Sequence, residues 1–124
     1  MKVSDNFKKG SVEMLVLLLL TEEDLYGYQI SQLIEERSND RLKIPEGSLY
    51  PCFYKLVEKG YISDTKKQVG KRLTRVYYHL EPSGLKRLQD LTKEYFLMHD
   101  TICSIFEKSS GGEELLSAYR SGDK

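Results

Sequence analysis

Hydrophobic residues along this chain recur at helical spacing in four stretches and alternate, as in a strand, in one. The first stretch, MLVLLLL at 14–20, is apolar on every side, so a helix built from it has to be covered on more than one flank. Ser11 stands at its N-cap position, and Glu13 sits in its first turn. After the polar turn TEED, Asp24 is the expected cap of a second helix. Its inward stripe is Leu25 or Tyr26, Ile30, Leu33, Ile34 and the stem of Arg37. Gly27 inside that helix suggests another backbone passing close by. SNDRLKIPEG reads as a loop. The third helix turns Leu49, Phe53, Leu56 and Val57 inward, and Pro51 requires it to begin near Gly47 or Ser48. Gly60 is its left-handed stop.

Two extended runs follow, YISDT at 61–65 and LTRVYYHL at 73–80. The second places Val76 and Tyr78 on one side and Arg75, Tyr77 and His79 on the other. A polar connection, KKQVGKR, makes the pair a hairpin with a long tip. Pro82 and Ser83 then open a last helix running to about Lys108, and SSGGEELLSAYRSGDK reads as a flexible tail. The last helix carries two apolar stripes. Leu88, Leu91, Tyr95, Met98, Ile102 and Ile105 form a heptad seam beside Leu85, Phe96, Cys103 and Phe106. A domain of this size can bury only one of the two stripes, so the seam predicts a symmetric homodimer.

The fold class expected is mainly α with a small β-hairpin: a winged helix-turn-helix at 1–81, a dimerisation helix at 82–108 and a tail at 109–124. In that architecture the third helix enters the DNA major groove and the hairpin flanks it. Charge supports this reading. The chain has 19 basic and 19 acidic residues, so a nucleic-acid role needs a local patch. Residues 66–78 supply one, with Lys66, Lys67, Lys71, Arg72 and Arg75 and no acid. On the third helix Ser48, Pro51 and Lys55 face outward, with Tyr50 and Tyr54 on the flanks. Hydroxyls, a lysine and a proline ring suit phosphates, guanine and thymine methyls.

Other chemistries find little support. His79 and His99 lack a metal-ligand partner at the right spacing, and no phosphate-binding loop or nucleophile motif occurs, so neither an enzyme, a metal site nor a cofactor is expected. His79, on the outward side of its strand, lies within reach of a DNA backbone. Cys52 and Cys103 read as ordinary reduced thiols. MLVLLLL is too short to span a bilayer and no signal-peptide pattern precedes it, which gives a cytoplasmic protein without a membrane partner. The rival reading of the fold is a winged-helix protein-interaction module that does not itself bind DNA.

The runs EMLVLLLL, LYGYQI, GSLYPCFYKLVEKGYI and RVYYHLEPSG resemble the successive signatures of the PadR family of transcriptional regulators over residues 10 to about 106. That resemblance implies a winged-helix dimer, joined by the C-terminal helix, that binds double-stranded operator DNA and usually represses. It implies DNA contact by Ser48, Leu49, Tyr50 and Lys55, and by Lys71, Arg72 and Arg75 of the wing, ahead of Tyr77 and Tyr78. The wing departs from the family's Gly-Gly-Arg-Pro-Arg type of run, since VGKRLTR lacks the proline and one glycine. The resemblance further implies a small hydrophobic or aromatic effector, for which Tyr95, Phe96 and Met98 are the candidate pocket residues.

Overall fold

A computed structural model of the chain describes residues 2–4, 8 and 10–122. Among them are five helices and a three-stranded antiparallel sheet. In chain order these are α1 (Val12–Leu20), β1 (Leu25–Tyr26), α2 (Gly27–Arg37), α3 (Glu46–Glu58), β2 (Ile62–Val69), β3 (Leu73–Leu80), α4 (Pro82–Glu107) and α5 (Gly112–Arg120). The chain divides into two compact units, residues 2–89 and the residues from 90 onward, so the division falls inside α4 and not at its start.

The first unit is a winged helix. Its core gathers Val16, Leu17, Ile30, Leu49, Phe53, Leu56 and Ile62, all essentially without solvent exposure. As its all-round apolar sequence requires, α1 is covered on several sides, by α2, α3 and β3, and in its second half only Leu18 is exposed. Arg87, from the first turns of α4, donates to the Glu13 carboxylate at 2.9 Å. Ser11 holds the N-cap position of α1, but its hydroxyl donates back to the Lys8 carbonyl and caps nothing.

The start of α2 differs from expectation. Leu25 and Tyr26 pair with Tyr78 and Tyr77 as a short third strand, so the helix begins only at Gly27. The Tyr26 N–H donates to the Gln29 side chain at 3.1 Å, and Asp24, the expected cap, turns to His79. Ile30 and Ile34 are buried, but Arg37 is exposed, its guanidinium forked onto Glu22. What lies close to Gly27 is the Phe53 ring and the Glu46 side chain rather than a backbone. The loop 38–45 is as expected. It is anchored by buried Ile44, whose carbonyl accepts from the Ser31 hydroxyl at 2.6 Å.

The third helix starts at Glu46, earlier than Pro51 was expected to demand, which places the proline in the second turn. The Gly47 carbonyl therefore has no proline N–H to accept from, a tolerable loss where the helix surface faces solvent. The hairpin is also tighter than expected. β2 continues to Val69, which pairs with Leu73, leaving a tip of only Gly70, Lys71 and Arg72. The sheet order is β1-β3-β2.

Two sequence runs, EKGYI and LEPSG, meet in a single joint. Gly60 takes φ of 75° and ends α3, and its carbonyl accepts from the Ser83 hydroxyl at 2.7 Å. The Tyr61 carbonyl accepts from the Glu81 N–H at 3.0 Å, and the Ser63 hydroxyl donates to the Glu81 carboxylate at 2.8 Å. Gly84, buried in the first turn of α4, lies so close to the Tyr61 carbonyl that a Cβ would overlap it.

In the second unit α4 ends at Glu107, and the segment expected to be a tail forms α5. Glu113 and Glu114 stand at the positive end of its dipole and Arg120 at the negative end, and a turn through Ser109 and Gly111 separates it from α4. Asp123 and Lys124 of the expected tail lie outside the described residues. None of the described helices is long and apolar enough to cross a membrane.

The joint gives a direct test of the winged-helix unit. Gly84→Ala should destabilise it by about 3 kcal/mol, because the carbonyl it meets belongs to backbone that cannot swing aside. Urea unfolding followed by circular dichroism measures this, and a loss below about 0.5 kcal/mol would contradict the packing described.

Candidate DNA interface

At 100° per residue, the buried side of α3 is Leu49, Phe53 and Leu56. Opposite lie Gly47, Pro51 and Tyr54, all exposed, with Tyr54 at 73%. One flank carries Ser48, Cys52 and Lys55, and the other carries Glu46 and Tyr50. Ser48, Pro51, Tyr54 and Lys55 thus share one accessible surface. Leu49 does not, since its side chain is fully buried and has nothing to offer DNA, which corrects the contact that the resemblance implied. Tyr50 is half exposed but committed. Its hydroxyl donates to the Glu46 carboxylate at 2.6 Å, which pushes its pKa up, and its ring meets Phe53 edge-on at 6.0 Å. Sequence reasoning missed Glu46 and Gly47. The i, i+4 spacing of Glu46 and Tyr50 was the available signal for the first.

Phe53 sets the angle of this surface against the hairpin, because it stacks on Tyr78 of β3 at 4.2 Å. Burial raises the Tyr78 hydroxyl to about 12, so it stays protonated. Between α3 and the wing lies an open cleft of about 380 Å³, lined by Gly27, Tyr28, Glu46, Tyr50, Thr74 and Arg75 among others.

The wing cations are divided between the two faces of the sheet. Lys66 pairs with Val76 and shares the face of Tyr78, which is turned toward α3. Lys67 and Arg75 are paired on the outer face with Thr65 and Tyr77. There the Lys67 ammonium lies 4.7 Å from the Tyr77 ring, and the Arg75 guanidinium lies 4.4 Å over the Tyr26 ring. Each contact holds a flexible side chain in place by about 0.5–1 kcal/mol. Tyr77 is half buried, edge-on to Tyr26 at 5.4 Å, and so acts as a platform for these cations. Lys71 and Arg72 stand exposed at the tip.

Two further side chains stand near this surface, His79 on the outer face of the sheet and Cys52 on the flank of α3. His79 is on the outer sheet face with Nδ1 2.7 Å from Asp24 Oδ1, and that carboxylate raises its pKa above the ordinary value near 6.5. Cys52, half-buried in a groove with Glu13 and Lys55, has its thiol pushed up to about 11, first by burial and then by the Glu13 charge. It is therefore a poor nucleophile at neutral pH.

In the second unit the helical seam is largely uncovered. Tyr95, Met98, Ile102 and Ile105 are exposed, Met98 at 61%, and so are Phe96 and Leu97. Leu88 is the exception. It is buried within its own winged helix, so it is not available to a partner, and the open seam begins beyond it. Tyr95 and Phe96 meet edge-on at 5.1 Å on open surface with Met98 nearby in sequence.

Residues 16–90 match the sequence profile of the transcriptional regulator PadR-like family. The chain belongs to that family. Like other PadR-like proteins it is a DNA-binding regulator with a winged-helix fold. Among solved structures, a transcriptional regulator from Clostridium thermocellum is similar at 33% identity and a TM-score of 0.72, covering 81% of this chain and 94% of its own. A protein from Streptococcus mutans UA159 shares 38% identity at a TM-score of 0.68, covering 86% and 92%. A PadR-like transcriptional regulator from Bacillus cereus shares 25% identity at 0.68, covering 82% and 96%. An uncharacterised protein from Lysinibacillus sphaericus is 34% identical over 93 residues, 75% of this chain and 85% of that one.

The His79–Asp24 pair gives this PadR-like protein a defined pH signature. A histidine whose folded pKa is raised contributes stability that is fully present below its unfolded pKa, near 6.5, and is lost as pH rises through the folded value. The difference in melting temperature between the wild type and Asp24→Asn should accordingly be largest below pH 6.5 and shrink above it. Proton NMR should show the His79 titration moving to lower pH in Asp24→Asn, and an unmoved titration would contradict the pairing.

Proposed function

We propose that this protein is a sequence-specific, operator-binding repressor that works as a homodimer and is released by a small hydrophobic or aromatic effector. The observation that carries the reading is one accessible surface on α3, formed by Ser48, Pro51, Tyr54 and Lys55, beside a hairpin whose tip is Lys71 and Arg72. The first group offers hydroxyl, ring and ammonium contacts to a major groove, and the second offers charge to the phosphates beside it. Lys66, Lys67 and Arg75 add charge without entering the tip.

The dimer is supported by the apolar side chains that α4 leaves exposed beyond residue 90. A contiguous stripe of that size is unusual on a monomer's surface and suits a two-fold interface with a second copy. Repression follows from such a dimer when it occupies an operator that a polymerase needs. The effector reading rests on Tyr95, Phe96 and Met98, which stand on open helix surface in one chain. A second chain is what could enclose them.

Purified protein should retard a fragment of its own upstream DNA, with affinity falling steeply as salt rises. Lys71→Gln/Arg72→Gln should make the slope of log K against log salt shallower by about 2, at roughly 0.9 for each phosphate that is no longer neutralised. No retardation at low salt, or only sequence-indifferent retardation, would favour the protein-interaction reading. Light scattering should give twice the chain mass of 14.4 kDa at micromolar concentration, and Met98→Glu should reduce it to one. A monomeric wild type would rule the dimer out.

A further inference from the structure

The cations of the wing lie on only one side of α3. On its other flank, beside Ser48, the structure holds a second cationic feature, two of whose three lysines precede the family match of residues 16–90. Here a cleft of about 510 Å³ is lined by Lys2, Lys8, Lys43 and Ser48, with Val12, Ile44 and Pro45 as its apolar floor. No carboxylate is among its described lining residues. The lysines come from two segments that are tied together. The Val3 N–H donates to the Arg41 carbonyl at 2.9 Å, and the Lys8 ammonium donates to the Lys43 carbonyl at 2.8 Å. The α2–α3 loop that receives these bonds is itself fixed by buried Ile44 and by the Ser31 hydroxyl on the Ile44 carbonyl.

Among the described residues Lys43 pairs with one carboxylate, Glu35, at 3.9 Å, with both side chains partly exposed. An ion pair that long and that wet contributes little and leaves the ammonium able to meet another anion. The cleft opens beside Ser48, which belongs to the accessible surface of α3, so whatever occupies the cleft is continuous with whatever α3 touches. Three cations, a hydroxyl and an apolar floor beside a groove-reading surface fit a sugar-phosphate backbone: the charges meet the phosphate oxygens and the floor meets the sugar.

Taking the operator-binding reading above as its basis, we infer that the N-terminal arm and the α2–α3 loop form a phosphate clamp for the DNA strand on the α1 flank of α3. Lys2, Lys8 and Lys43 are its positioning residues, opposite the wing. The clamp carries no base readout. It adds sequence-independent affinity and lengthens the protected backbone beyond what α3 and the wing contact.

The test uses the full chain and a retarded DNA fragment. Lys2→Gln/Lys8→Gln/Lys43→Gln should make the salt slope shallower by about 2 to 3 with sequence preference unchanged, and phosphate-ethylation interference should disappear on one side of each half-site, the side away from the wing. The double variant Lys2→Gln/Lys43→Gln keeps the Lys8 hydrogen bond, so it guards against a folding defect, and should lower the slope by about 2. Arginine at the same positions should restore both slope and footprint.

If the triple variant keeps the wild-type slope and footprint while Lys71→Gln/Arg72→Gln loses its share, the clamp is wrong and the regulator reading stands. If the wild type retards no DNA, both fall together. If the slope is unchanged but inorganic phosphate shifts the NMR signals of these lysines in the wild type alone, the cleft is a small-anion site and the DNA clamp is overturned.

Discussion

The geometry of the winged helix hangs on Phe53. Its fully buried ring is stacked on Tyr78 of the hairpin, met edge-on by Tyr50 and backed by the Cα of Gly27. One side chain therefore sets α3 against both α2 and the sheet. A larger residue at position 27 would crowd the ring, and a smaller one at 53 would leave a void worth about 3–5 kcal/mol. The roll of α3 about its own axis follows from this anchor. That roll decides that Tyr54 and Pro51 point outward and that Leu49 does not.

A second constraint governs how the cations are presented. The hairpin alternates its side chains, so consecutive lysines cannot serve one face. Lys66 goes toward α3, and Lys67 goes to the aromatic platform of Tyr26 and Tyr77. Arg75 arrives on that same platform from the neighbouring strand. Aromatic rings on the outer face of a sheet would ordinarily be wasted apolar surface. Here they hold two cations that would otherwise lose rotamer entropy on meeting an anion. With a tip of three residues rather than a long loop, Lys71 and Arg72 are also carried on well-paired strands, which limits the ordering that binding must impose.

Much of this was legible in the sequence, for physical reasons that can be named. Helical spacing exposed the core stripes of α2 and α3, Gly60 and Pro82 marked ends that the backbone obeys, and the acid-free run at 66–78 located the wing. What escaped was governed by tertiary partners. Leu25 and Tyr26 are a strand only because β3 offers them an edge, and that pairing moved the start of α2 beyond Asp24. Pro51 was expected to stand within the first turn because an interior proline costs a hydrogen bond. On a solvent-facing side that cost is borne by water. Leu49 was placed both in the core and among the DNA contacts, and burial decides for the core. α5 was hidden because SSGG reads as the start of a tail, although the charges of Glu113, Glu114 and Arg120 suit a helix. The lysines of the N-terminal arm carry no local pattern at all. The hydrogen bonds from Val3 and Lys8 to the α2–α3 loop tie their segment beside Ser48.

The balanced net charge of the chain conceals a division of sign that bears on how such a protein finds DNA. Residues 90–124 carry seven acids against four bases, which leaves residues 2–89 with an excess of three positive charges. Neutrality is thus a sum over two units of opposite sign. Long-range attraction to a polyanion scales with the charge seen at a distance and is screened beyond about 8–10 Å at physiological salt, so the whole molecule exerts little pull from afar. Within that distance the cationic surface of the winged helix dominates. Such a distribution of charge weakens adsorption to a polyanion from afar without weakening attraction at close range. The outward side chains of α3 themselves are held in place by a buried ring rather than by charge.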